Sequence, residues 1–353
     1  MIVYILACLF SITISKLIEA TIGYEKNTTL KVFVALLPLT LVSIFRYDVG
    51  WDYIKIYTNG FYYVGKYNLA WFTEKGFLLI IKLLYTVFGN PISLFVLFGI
   101  LTSYFFALCC KQYVNNYKYM HIFILMFFIT RTYFMSLNII RQSLAILIIL
   151  YALHYIKEKK FLKYLIFILL AFEIHFTSIV YLPLYFVLNK RLNNKKNILL
   201  LLLLVPCLFG TLFIFAMKTK YINYFTSMFG NDGGIVFSEL LIATIVLLIR
   251  NFLVNKNARW NNMDTIFFNT NLISFTISLM TFILPLGDRM IWYFSMTNIF
   301  YIPYLIKNID NRNIRFVAGI TIISCLLLVC ILQTFWKDSY SILPYQTIFN
   351  NSK

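Results

Sequence analysis

Residues 119–160 read YMHIFILMFFITRTYFMSLNIIRQSLAILIILYALHYIKEKK, and this stretch decides the fold. Two apolar blocks flank a short segment that holds Arg131 and Arg141, and the second block runs into the basic cluster KEKK at 157–160. Apolar blocks of roughly 17–22 residues recur along the chain between short polar runs, which is the length a helix needs to cross a bilayer. Barrel strands would instead alternate over about ten residues, and no such pattern is present. Composition agrees: 61% of the 353 residues are hydrophobic and only 12% charged, far from the roughly 25% charge of soluble domains.

A net charge of +18 would point to nucleic acid in a soluble protein. In a membrane chain the same charge is the signature of basic loops facing anionic lipid, so the lipid bilayer is the expected partner and nucleic acid is not. The six cysteines (Cys8, Cys109, Cys110, Cys207, Cys325, Cys330) all fall inside apolar blocks. They read as small core residues without disulfide or metal spacing. Residues 1–18 have neither a basic n-region nor a small-residue cleavage site, and read as a retained first span. No polar stretch is long enough for a separate soluble domain, so 1–353 is expected to be one integral membrane domain. Within it, 46–75 and 217–234 are the longest outer loops.

Basic runs lie at 16–31, 111–118, 157–160, 189–196, 250–259 and 307–315 and hold 18 of the 31 Lys and Arg residues. Placing all six on the inner side satisfies the positive-inside rule and predicts an all-α polytopic bundle of about 11–12 spans with both termini outside. Two places strain that count. Residues 77–88 must form an outer-surface or re-entrant helix, and 161–188 must make two crossings of about 14 residues, or ~21 Å of helix each.

The topology leaves Arg46, Arg131, Arg141 and Arg289 at the outer side, where nothing in the charge rule asks for arginine. Arg131 falls roughly 16 Å into its helix by the 1.5 Å rise, a depth that needs a wet cavity or a partner. For any single arginine, an internal ion pair or snorkelling is the plain alternative. Four together suit a pyrophosphate at headgroup level, because guanidinium stays charged and binds phosphate bidentately. A nucleotide-sugar donor is not expected, because such donors are cytoplasmic and the sequence has no Gly-rich phosphate loop or Rossmann pattern. Asp48, Asp52 and Glu74 lie near Arg46 in sequence and can orient it, bind sugar hydroxyls or act as a base. The aromatics of the same loop, Tyr53 and Tyr57 among them, suit sugar stacking, and equally an interfacial aromatic belt. Of three histidines, His121 and His154 read as structural. His175, at the outer turn within 161–188, is a candidate base and equally a packing histidine.

Together these residues resemble the EpsG/Wzy family of exopolysaccharide and O-antigen repeat-unit polymerases. The resemblance runs through Arg46-x3-Gly50-x-Asp52-x4-Tyr57, Glu74, Arg141-Gln142-x2-Ala145, His175-x-Thr177-Ser178 and Arg289-x3-Tyr293, and on to Trp336 and Pro344-Tyr345. It departs in two places: Lys75 follows Glu74 where the family often has proline, and Thr177 stands where Ser is common. The resemblance implies a GT-C-like membrane glycosyltransferase that moves a glycan from undecaprenyl pyrophosphate to an incoming lipid-linked repeat unit at the outer leaflet of the bacterial inner membrane. The implied roles are pyrophosphate binding for Arg46, Arg131, Arg141 and Arg289, and sugar contacts for Asp48, Tyr53, Tyr57, Gln142 and Tyr293. Asp52, Glu74 and His175 are the catalytic candidates. Neither metal nor other cofactor is expected, since the thirteen acidic residues are scattered. A chain-length regulator protein is a candidate partner. An O-antigen ligase, or a flippase for the same lipid-linked oligosaccharide, are the competing readings.

Overall fold

In hydrocarbon every backbone N–H and C=O must find its partner within the segment, so the apolar blocks fold as helices. The computed structural model describes residues 1–69, 71–114, 116–191, 233–255, 258–259, 261–281 and 287–349. Among these residues there is no strand, only two isolated bridges, Arg46 with Thr347 and Val254 with Ile309. The expected second outer loop at 217–234 lies outside the described residues, apart from its last two positions. The chain is an all-α, multi-pass membrane protein. Among the described residues five helices are long and apolar enough to cross a membrane, or six if one bent pair counts as a span. Most other apolar blocks among the described residues form helices that are shorter or broken.

The helices gather into two compact units. The first comprises Met1–His154, Leu162–Tyr181 and Cys330–Lys353. Its helices are α1 (Ile2–Thr21), α2 (Thr28–Ala35), α3 (Leu37–Ile44), α4 (Asn59–Gly65), α5 (Lys75–Phe88), α6 (Ile92–Tyr113), α7 (Met120–Ile129), α8 (Thr132–Asn138), α9 (Ile140–Lys157) and α10 (Phe161–Ile174). Pro38 divides α2 from α3: it has no N–H to donate and its ring crowds the carbonyl one turn back. α1 packs on α2, α3 and α7, and α6 on α2 and α3. α9 has apolar residues on all sides and is almost wholly buried, as such a helix must be in a packed core.

Residues 77–88 lie within α5, fourteen residues long, whose outer face leaves Leu79, Leu83, Val87 and Phe88 exposed. The 161–188 region is one fourteen-residue helix, α10, followed by 3-10 turns at Phe176–Tyr181 and Pro183–Phe186. Arg131 does not sit in mid-helix as the sequence alone suggests. The helix stops at Thr130, Arg131 takes a left-handed φ of 66°, and α8 leaves at 49° to the preceding segment. The Thr130 and Thr132 hydroxyls bond each other at 2.9 Å across the break, and Thr130 also caps the Met126 carbonyl at 2.7 Å.

The second unit is Tyr155–Phe161 and Leu182–Val329. It contains α11 (Gly233–Phe252), α12 (Asn262–Met280), α13 (Gly287–Ser295), α14 (Asn298–Lys307) and nearly all of α15 (Arg312–Cys330). α12 packs on α11, α13 and α14. Its first turn is fixed by the Asn261 cap, whose side chain accepts the Asp264 N–H at 2.8 Å. Asp264, fully buried, pairs with Arg250 at 3.0 Å and accepts the Tyr301 hydroxyl at 3.0 Å. Removing one partner of such a pair strands a charge in a dry interior, at a cost of about 3–5 kcal/mol. Arg250→Ala is therefore expected to lower the melting temperature of detergent-solubilised protein sharply, while Arg250→Met with Asp264→Asn recovers most of the loss. An unchanged melting curve for Arg250→Ala would contradict the assignment.

Candidate active site

The site in the first unit is built at one end of the bundle. The N-terminal end of α1, the loop after α3, the α8–α9 turn, the α10 C-terminus and the C-terminal tail all meet there. The tail clasps the loop: Tyr47 N–H donates to Gln346 O at 2.9 Å, Ile348 N–H to Phe45 O at 3.0 Å and Gly50 N–H to Ser341 O at 2.7 Å. The Tyr4 hydroxyl donates to Ile342 O at 2.9 Å and the Tyr345 hydroxyl to Val42 O at 3.0 Å. Gly50 has a φ of +102°, and a Cβ there would meet Leu137 O at 2.7 Å, so only glycine lets the loop lie on the end of α8.

Arg46, in that loop, is 1% exposed. It donates through Nη1 to Ser43 O and, at 3.0 Å, to Ser43 Oγ. Its guanidinium lies 5.0 Å from the Phe95 ring centroid and 5.8 Å from that of Tyr53, and these two rings stack at 4.0 Å. Nε and Nη2 make no hydrogen bond. Asp48 is exposed at a left-handed φ of 48°. The Asp52 backbone N–H donates to Asn138 Oδ1 at 3.3 Å, which ties the loop to the α8–α9 turn. One turn on, Tyr57 is buried with its ring edge-on to Phe95 at 6.3 Å. Burial, and next the Asp52 charge, push its hydroxyl pKa up to about 12, with the Arg141 charge opposing.

Arg141 stands in the first turn of α9. Its Nη1 pairs with Glu74 Oε2 at 2.8 Å, and the guanidinium lies over Phe72 at 4.5 Å and Phe77 at 4.9 Å. Glu74 is buried and joins three segments. It accepts from Arg141, from Thr73 Oγ1 at 3.1 Å and, through Oε1, from the Phe176 N–H at 3.3 Å. That last bond brings the His175 turn to the pair. His175 Nδ1 and Thr177 Oγ1 are 2.8 Å apart, and the imidazole is half-buried. Glu173 supports the same junction by accepting the Gly76 N–H at 2.7 Å. Gln142, next to Arg141, is buried.

The structure therefore brings together Asp52, Tyr57, Glu74, Arg141 and His175, and it sets Arg46, Tyr53 and Tyr57 against the Phe95 ring. Arg131 is buried at the α7–α8 break. Arg289 and Tyr293 belong to the second unit, where Arg289 is exposed in the first turn of α13 and Tyr293 is buried. Sequence reasoning missed Phe72 and Phe77 as the rings enclosing Arg141, and Asn138, Thr73 and Glu173 as the polar ties. It also missed the tail as the clasp of the Arg46 loop, although Pro344 and Tyr345 carried a signal for it.

A family model described as EpsG family matches residues 29–347. No curated protein and no solved structure matches the chain.

Proposed function

Since the chain belongs to the EpsG family, a Wzy-like polymerase family, we propose that it polymerises lipid-linked oligosaccharide repeat units at the outer leaflet of a bacterial inner membrane. The observation that carries this reading is the Arg141–Glu74 pair, locked to the His175 turn. It offers a fixed cation, a carboxylate and an imidazole at one end of a membrane bundle, lined by aromatic rings.

In the proposed step the hydroxyl oxygen of the acceptor repeat unit attacks the anomeric carbon of the growing glycan. The bond from that carbon to the pyrophosphate oxygen breaks, and undecaprenyl pyrophosphate leaves with the electron pair. The hydroxyl proton passes to a base, for which His175 is the candidate. Glu74 holds Arg141 toward the leaving pyrophosphate, and preorganised arginines stabilise the charge that develops there. Arg289 and Arg131 are proposed to share that charge. Arg46 is proposed to do so too, its buried guanidinium having two donors still without a bond. Asp52 and Asp48 contact sugar or orient arginines, and Tyr53, Tyr57, Gln142 and Tyr293 line the sugar path.

Arginine in the place of a divalent ion makes the reaction metal-independent. Polymerisation by membranes carrying the protein is expected to continue at an unchanged rate in excess EDTA, and collapse there would contradict this part of the mechanism. The reading itself is tested by deleting the gene in its host and resolving the surface glycolipid by length. Collapse to a single repeat unit, reversed by the wild-type gene, is expected. Loss of every attached unit would point instead to flipping or ligation.

A further inference from the structure

α1 is twenty residues long, about 30 Å of helix. Its C-terminal end therefore lies a bilayer thickness away from the Arg46 loop. There the α1–α2 loop and the turn before α7 enclose a cavity of about 710 Å³. Its charged lining is Lys26, Lys31 and Lys118 with Glu19 and Glu25. Lys31 is committed in part to the end of α1, donating to Gly23 O at 2.6 Å and Ile22 O at 3.4 Å. The other four charges form no ion pair with a described residue, although both signs share one cavity. Opposite charges left apart in this way give room for a ligand that itself carries a separated phosphate and ammonium. The surroundings specify where such a ligand comes from. Ile22 lines the cavity and is 65% exposed, and Leu6, Leu9, Phe10 and Leu17 continue an exposed apolar stripe along α1. Leu6, Leu9, Phe10 and Leu17, spaced by three, one and seven residues, share one helix face, and Ile22 follows just beyond the helix end.

We propose that this cavity binds the headgroup of a phospholipid bearing both a phosphate and a primary amine, with its acyl chains along the α1 stripe. Lys26, Lys31 and Lys118 hold the phosphate, and Glu19 and Glu25 accept from the ammonium N–H groups. The site lies apart from the polymerase centre and does not depend on it.

The test is native mass spectrometry of the detergent-purified full chain, titrated with phosphatidylethanolamine, phosphatidylglycerol and phosphatidylcholine. Phosphatidylethanolamine is expected to bind most tightly, because the methylated amine of phosphatidylcholine has no N–H to donate. Lys26→Gln with Lys118→Gln should weaken phosphatidylethanolamine roughly 25-fold, at about fivefold per basic residue near a lipid surface. Glu19→Gln with Glu25→Gln should bring it down to the level of phosphatidylcholine while leaving phosphatidylglycerol no weaker. Equal binding of all three lipids, or no response to either double variant, overturns the proposal. Displacement of bound lipid by millimolar inorganic phosphate would assign the cavity to a soluble phosphate and overturn it as well. Of the side chains changed here Glu25, Lys26 and Lys118 are exposed and Glu19 is half-buried, so the variants should elute as wild type in gel filtration.

Discussion

Arg141→Ala should abolish chain growth, with a rate loss of about 10²–10³-fold from removing one preorganised charge at the leaving group. The substitution also strands Glu74, which is buried and keeps only its bonds to Thr73 and the Phe176 N–H. Orphaning a buried carboxylate costs up to about 3–5 kcal/mol, so lost activity could come from lost fold. Arg141→Met combined with Glu74→Gln separates the two effects, because it removes the orphan charge along with the cation. That variant should recover most of the melting temperature and none of the activity. Polymer of normal length from either variant would show that Arg141 does not stabilise the leaving group.

Arg289→Ala should be nearly as damaging to polymerisation, by about 10²-fold or more if it shares the pyrophosphate charge. Its stability effect should be small, since Arg289 is exposed in the first turn of α13 and surface substitutions fall mostly within about ±0.5 kcal/mol. The expected signature is thus a full-length membrane protein with unchanged melting and a surface glycan of single units. Arg289→Lys should restore only part of the rate, because an ammonium cannot make the bidentate contact. Wild-type chain length in Arg289→Ala would remove the second unit's arginine from the mechanism.

Much of the architecture was legible in the sequence because the bilayer permits few solutions. Apolar blocks of spanning length had to be helices, and basic runs far apart in sequence come together in space. In the first unit the structure brings the runs 16–31 and 111–118 to one cavity. In the second it ties 250–259 to 307–315 through Asn255 Nδ2, which donates to Asp310 at 2.8 and 2.9 Å. Helix continuity was less legible. Pro38 announces its break, but the interruption at Arg131 occurs with no glycine or proline to mark it. The two departures from the family pattern have local explanations. Glu74 is the N-cap of α5 and Lys75 its first helical residue, a position where proline is favoured but not required. The Glu74 side chain makes no capping bond because it is turned to Arg141. At Thr177 the hydroxyl that bonds His175 is the same one a serine would offer. The tertiary partners were not legible: no local pattern foretells that Phe176 N–H reaches Glu74 across 102 residues, or that the tail clasps the Arg46 loop.

The most direct test of the polymerase reading uses the purified chain in liposomes with one purified undecaprenyl-pyrophosphate-linked repeat unit as both donor and acceptor. A ladder of products spaced by one repeat, with one undecaprenyl pyrophosphate released per linkage formed, is the predicted result. Substrate that moves between leaflets without lengthening, or that stays intact, would contradict it.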